Sequence, residues 1–499
     1  MPRRIPIFYS AILLTLVNLL LRLVGTSFQV YLSGRIGAAG IGLVQLVMSV
    51  GGLAVIAGMA GIRTATMYLT AEELGRRHPE NITGVLSACF LYSIGCSAVV
   101  AAALYFFAPQ ISSLWIGDPR TEEAIRLFAA FVPTSCLCGV LTGYFTAANR
   151  IGTLSAIQVC EQILCMGITV LALSLYAGAD PAKACQCILL GSGLGGCMTL
   201  LSLVVLRLRQ PMLPSKPIRV GRKLAAAAVP LAIADVLKAG INTVENLMVP
   251  KRLSMNAAIA DPLGAFGTVS GMVFPILMFP ACILFGLAEL LIPELARCSA
   301  GENHRRARYL VRKSLRISLL YGAFLCGLMY LLAETLCITF YSSPDAARQL
   351  KRYALLIPML YCDAITDAMT KGLGQQKICV RYNIVTSLLD VLGLYLLLPG
   401  YGMEGYFLSF LVSHLLNFIL SLRRLLWITG ERIPFYKPAM ILCAMAAAIS
   451  LCSLLSSPLS RGLAYVTVLT CLLTLLGQIS REDLRWLRGV SGVKKSRSS

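Results

Sequence analysis

Apolar runs of about 20 residues recur along the whole of this 499-residue chain, separated by short clusters of Arg, Lys, Pro and Gly. A run of that length crosses the hydrocarbon core of a bilayer as one α-helix. About 14 stretches meet the rule: 7–32, 38–61, 82–107, 125–147, 153–177, 184–206, 224–249, 264–293, 311–333, 352–373, 379–398, 403–426, 436–456 and 462–479. The pattern predicts an all-α polytopic membrane protein, because a helix satisfies its own backbone groups where no water reaches. The opening Pro2-Arg3-Arg4 and the apolar residues after it have the outline of a signal peptide. No small-x-small site follows, however, and Arg22 interrupts the run, so it reads as an uncleaved first span.

The loop 207–223, with Pro211, Pro214 and Pro217, parts two groups of six spans, and a last pair follows. The expected division is an N-lobe at 1–210, a C-lobe at 211–430, an accessory helix pair at 431–480 and a basic cytoplasmic tail at 481–499. A weak repeat, offset by about 216–227 residues, supports it. Arg22 and the following Ile41-Gly42-Leu43 match Lys238 and Gly264-Ala265-Phe266-Gly267. Pro133 and Gly143-Tyr144-Phe145 through Arg150 match Pro358 and Lys371-Gly372-Leu373-Gly374. An even number of spans per repeat keeps both lobes in one orientation, so the expected cavity lies between lobes related by an axis along the membrane normal.

Polar residues inside the spans are not scattered. Asn18, Arg22, Thr26 and Gln29 share one helical face of the first span, and Asp235, Lys238, Asn242 and Glu245 share one of the seventh. A charge at mid-bilayer costs about 2.5–3.5 kcal/mol even on the lenient scale, and so marks a functional interior. Two basic stripes in matching places predict a cavity that handles an anion. The structural alternative has Lys238 neutralised by Asp235 or Glu245 and Arg22 snorkelling to the interface. Carboxylates at Glu161, Glu289, Asp363, Asp367 and Asp390 are candidates for ion coupling; Asp367 is equally placed to pair with Lys371. Arg63, read as the end of the second span, and Arg150 are candidates for the inner mouth of the cavity or for positive-inside anchors.

The net charge of +21 would point to nucleic acid in a soluble protein. Here 57% of residues are hydrophobic, 13% are charged and the mean hydropathy is +0.76. With the N-terminus inside, roughly 32 of the 44 Lys and Arg fall on the cytoplasmic side, which is a topology signal and excludes nucleic acid as the expected partner. Both termini are therefore expected in the cytoplasm. The 18 cysteines are mostly embedded in apolar runs and predict neither a disulfide framework nor a metal site. Gly191-Ser192-Gly193-Leu194-Gly195-Gly196 follows no strand and reads as a helix-packing surface rather than a dinucleotide loop. No Walker A motif is present, and neither enzymatic activity nor a cofactor is expected.

Leu21-Arg22-Leu23-Val24-Gly25, Arg35-Ile36-Gly37 through Gln45, and Gly143-Tyr144-Phe145 through Gln158-Val159-Cys160-Glu161-Gln162 resemble the stage V sporulation protein B group. That group lies in the multidrug/oligosaccharidyl-lipid/polysaccharide (MOP) flippase superfamily. The resemblance implies two six-helix bundles, alternating access and, in the lipid flippases, passage of an undecaprenyl-linked glycan headgroup. Arg22 matches a first-helix arginine of the lipid II flippases, whereas Phe28-Gln29 stands where they typically carry an Arg-Asp pair. The expectation is a flippase for a polyprenyl pyrophosphate-linked sugar in the cytoplasmic membrane, with Asn18, Arg22, Gln29, Arg63, Lys238, Asn242 and Glu245 around the headgroup. The alternative is a cation-coupled multidrug exporter. A third reading is a non-transporting scaffold that recruits envelope-synthesis enzymes through its tail.

Overall fold

The computed structural model describes residues 7–75, 80–148, 150–177, 180–209, 221–300, 303–432, 434 and 436–478. Side chains at 7–18 and at a few other helical positions, Glu289 among them, lie outside that description, as do the tail and most of the 207–223 loop. Among the described residues every regular element is a helix: α1 Ile7–Met59, α2 Ile62–Gly75, α3 Asn81–Phe106, α4 Glu122–Ala147, α5 Ile151–Ala172, α6 Pro181–Leu208, α7 Gly221–Leu253, α8 Pro262–Met278, α9 Ala281–Ala300, α10 His304–Tyr341, α11 Pro344–Ala354, α12 Ile357–Gly372, α13 Gln376–Thr429, α14 Tyr436–Cys452 and α15 Pro458–Leu475.

Helix starts follow a local rule. Asp118-Pro119, Asp180-Pro181, Asp261-Pro262 and Ser343-Pro344 each place a capping side chain before a proline whose missing N–H costs nothing in the first turn. The Asp261 carboxylate accepts from the Gly264 N–H at 2.8 Å, and the Ser343 hydroxyl accepts from the Ala346 N–H at 3.2 Å.

Eight of the described helical runs are long and apolar enough to cross a membrane, or nine if α8 and the start of α9 form one bent span. Two of these runs each contain two of the sequence-predicted spans. α1 turns at Gly37, with φ 68°, between 7–32 and 38–61, and α13 turns at Gly402, with φ 54°, between 379–398 and 403–426. The span predicted at 264–293 is bent by 63° between α8 and α9. Pro280 has no N–H to continue the helix, and carbonyls freed at the bend are recovered by tyrosines: Tyr361 OH donates to Leu277 O at 2.9 Å and Tyr321 OH to Pro280 O at 2.8 Å. Buried hydroxyls of this kind make a break tolerable where water is absent.

The residues form two compact units, one running to Pro275 and including Ile384–Ser413, the other comprising Ile276–Asn383 and everything from His414. In the first, α4 packs against α2, α3 and α6, α5 packs on α6, and α1 lies along α7 and α8. The glycine run of α6 serves as the expected packing surface: a Cβ on Gly191 would lie 2.1 Å from the Thr169 hydroxyl and one on Gly193 2.2 Å from the Phe131 ring. In the second unit α10 is the central helix, flanked by α11, α12, α14 and α15.

Candidate functional site

Arg22 precedes the Gly37 turn by as many residues as Lys238 precedes Leu253, the end of α7. In an ideal helix that distance is roughly 22 Å, so the two cations sit at similar depth. Both side chains are exposed, and among the described residues neither has a hydrogen bond or an ion pair. The structural alternative, neutralisation of Lys238 by Asp235 or Glu245, is not formed among the described residues: Asp235 is exposed, and Glu245 lies beside Asp390. Asn242 is exposed one turn from Lys238. The Thr26 hydroxyl donates to its own helix at Arg22 O, 2.9 Å away, and the Gln29 amide donates to Gly271 O at 3.3 Å, so these two members of the first stripe serve structure. The Asn18 side chain lies outside the described residues. Arg63 does not end a span. The chain turns at Ala60 and Gly61, with φ of 42° and 72°, and Arg63 stands exposed in the first turn of α2. Arg150 is exposed at the start of α5.

The candidate coupling carboxylates divide among three places. In the first unit the Glu245 carboxyl lies beside that of Asp390. Asp390, 4% exposed, accepts from the Ser409 hydroxyl at 2.6 Å. The sequence brings Ser409 there through the Gly402 turn and through Gly393, where a Cβ would lie 2.4 Å from the Ser409 hydroxyl. Also in this unit, α4, α5 and α6 enclose a cavity of about 200 Å³ lined by Ser135, Thr142, Gln158, Glu161, Ser192 and Thr199. Glu161 accepts from the Thr199 hydroxyl at 2.8 Å across it. In the second unit Asn417 donates to both oxygens of Asp363 at 3.2 Å. One turn further along α12, Asp367 pairs with Lys371 at 2.6 Å, the pairing that the i,i+4 spacing anticipates.

Glu245 thus belongs to an acidic cluster as well as to the stripe that named it. Ser409, Asn417 and Thr199, the partners that hold the carboxylates, were not singled out by the sequence. Ser409 and Asn417 do carry a signal that could have found them: with Ser413 and Ser421 they recur at intervals of four and form one buried polar stripe of α13.

The family described as MatE matches residues 14–171 and again residues 230–396. Stage V sporulation protein B of Bacillus subtilis (strain 168) is 21% identical over 422 residues, covering 82% of this chain and 81% of that protein. Sporulation protein YkvU of the same organism is 20% identical over 382 residues, with coverage of 73% and 82%. Among solved structures, the lipid II flippase MurJ in an inward closed conformation matches with a TM-score of 0.73 at 13% identity, over 93% of this chain and 98% of that one. An inward-facing multidrug resistance MATE family transporter of the MOP superfamily matches with a TM-score of 0.65 at 15% identity, over 86% and 96%. At such identities the structural likeness speaks for the fold, and the family rests on the two matched stretches, which together take in well over half of the residues. The chain belongs to the MatE family and is an integral membrane transporter of the MOP superfamily.

Proposed function

We propose that this chain is a flippase that moves a polyprenyl pyrophosphate-linked oligosaccharide or peptidoglycan precursor across the cytoplasmic membrane by alternating access, with both termini in the cytoplasm. The observation that carries the reading is the pair Arg22 and Lys238, exposed at similar depth without a counter-charge among the described residues. A bare cation facing lipid would cost about 2.5–3.5 kcal/mol or more, so both belong on a wet path that an anion completes. Pyrophosphate supplies that anion; Asn242, exposed one turn from Lys238, is assigned to the sugar together with Asn18, and Arg63 to the inner mouth, while Gln29, tied to Gly271 O, is left to structure. The twofold match of one family to the chain, at the offset of the internal repeat, supports a pair of related lobes. The relatives named for sporulation and for lipid II support an envelope precursor as cargo.

An inside-negative potential does about 2.3 kcal/mol of work per charge per 100 mV and favours outward movement of an anion. The Glu245, Asp390 and Ser409 cluster, with Asp363 and Asp367, supplies groups for ion coupling beside that drive.

Reconstitution in liposomes with a fluorescent lipid-linked glycan tests the proposal. Potential-dependent flipping by the wild type and its loss in Arg22→Ala and Lys238→Ala are expected. Unchanged, potential-insensitive flipping in both variants would sink it. The second reading, cation-coupled multidrug export, is favoured by one observation, the polar cavity that Glu161 faces. Dye export that requires Glu161 or Asp363 would promote it.

A further inference from the structure

Ser49 is tied twice to α7. Thr243 donates its hydroxyl proton to Ser49 O at 3.1 Å, and Asn246 donates from its amide to the Ser49 hydroxyl at 3.0 Å. Thr243 is buried. From this node toward the turns at Gly37 and 254–261, α1 and α8 are in backbone contact. A Cβ on Gly42 would come within 2.4 Å of Leu263 O, and one on Gly267 within 2.0 Å of Ala38 O. Gln29 reaches across to Gly271 O at 3.3 Å. At the same end Arg252 of α7 stacks over the Tyr395 ring at 3.4 Å, and Ile259 packs on the Gly402 turn. The contacts of Gln29, Gly42 and Ser49 join the opening helices of the first repeat to those of the second, those of Arg252 and Ile259 lie within the second, and all of them fall within one compact unit.

Arg22 and Lys238 lie just beyond the last of these ties. Asn246 is two helical turns from Lys238 on the same helix, about 12 Å along its axis. Between the turns and the two cations there is therefore a zone in which helices of both repeats touch through glycines and share hydrogen bonds. Toward the opposite end of α1 and α7, Arg22 and Lys238 are exposed.

We propose that the Ser49, Thr243 and Asn246 node is a latch that closes the path on the side of the Gly37 and 254–261 turns, directly above the two cations. Opening it exposes Arg22 and Lys238 to that side. The inference rests on the alternating-access reading above and adds to it the residues that hold one of its two states. The latch is built to break: its ties are hydrogen bonds to one serine and close contact at glycines, without ion pairs among the described residues. The backbone contacts beside the node are made at glycines, Gly42 and Gly267. By the distribution of Lys and Arg, the side it closes is the outer one.

Hydrogen exchange followed by mass spectrometry on the full chain in lipid nanodiscs tests the latch without any substrate. Ser49→Ala removes one of the two ties, and Thr243→Val with Asn246→Leu removes both. The expected result is faster exchange in peptides spanning 33–42 and 254–267, roughly tenfold in the double variant and less in Ser49→Ala. Protection in 436–475 should stay unchanged. Equal exchange in all three proteins would overturn the proposal. So would a loss of protection that extends to 436–475, since the node would then be needed for folding rather than for closing one side. Latch opening as expected in a protein that moves no lipid-linked glycan would leave this inference standing and count against the substrate alone.

Discussion

In the helix pair α14 and α15 one buried tyrosine is fitted to α10, and the consequence can be measured. Tyr465 of α15 is fully buried, its hydroxyl donates to Ala323 O of α10 at 2.7 Å, and its ring lies where Gly327 has no side chain. A Cβ on Gly327 would meet ring carbon Cζ at 2.0 Å and Cε2 at 2.3 Å. Tyr465→Phe removes only the hydrogen bond and should cost about 1 kcal/mol. Tyr465→Ala leaves a cavity and should cost about 3–5 kcal/mol. Gly327→Ala overpacks the site at about 1–3 kcal/mol in the wild type. In the Tyr465→Ala background the same change has room, and alanine's better helix propensity, up to about 1 kcal/mol, turns it neutral or stabilising. The Gly327→Ala/Tyr465→Ala double variant should therefore be more stable than the sum of the singles by at least about 1 kcal/mol. Thermal unfolding in nanodiscs, read as the four midpoints of the cycle, gives that interaction energy. Additive effects would refute the reasoning, as would a Tyr465→Phe variant as damaged as Tyr465→Ala.

Three further outcomes follow from particular contacts. Gly402→Ala forces an L side chain into φ 54°, ψ −129° with its Cβ 2.8 Å from Ile259 Cδ1, so it should cost about 1–3 kcal/mol, visible as a lowered unfolding midpoint; an unchanged midpoint would mean the turn is not held as described. Asn417→Leu strips Asp363 of both its amide hydrogen bonds and should lower stability by about 1–3 kcal/mol, and an Asp363→Leu/Asn417→Leu pair should recover much of that loss in the same assay. At the loop before α4, hydrogen bonding and charge from Arg120 hold the Asp118 carboxyl below the usual carboxylate range. Its stabilisation is thus fully present above about pH 4 and lost as pH falls through the lowered value. Asp118→Asn should flatten the acid limb of the stability profile and leave stability less dependent on pH there; an unaltered limb would remove Asp118 from the account.

The apolar helices were legible because a bilayer imposes a length and a polarity on every helix, and the turns at Gly37 and Gly402 fall where two predicted spans meet. The bend between α8 and α9 was not legible. Proline marks a break, but only the tyrosines at 321 and 361, far along the chain, make its free carbonyls affordable. Among site residues, the stripes carrying Arg22 and Lys238 stood out because a basic group in an apolar run has no ordinary explanation. The Asp367 and Lys371 pair was readable as well, being a contact between successive turns of one helix. Glu245 looked like a companion of Lys238 by spacing, yet its carboxyl lies against Asp390, a choice that spacing along one helix cannot reveal.

By itself, then, the sequence determined what local spacing and transfer energy determine: helices, their apolar lengths and the family. Tertiary structure decided which polar residue holds which carboxylate, where glycines let backbones touch, and which helices are held together by the Ser49 node. Those contacts join residues as far apart as Ser49 and Asn246, and nothing in the pattern of either helix alone favours one partner over another until packing brings them within hydrogen-bonding distance.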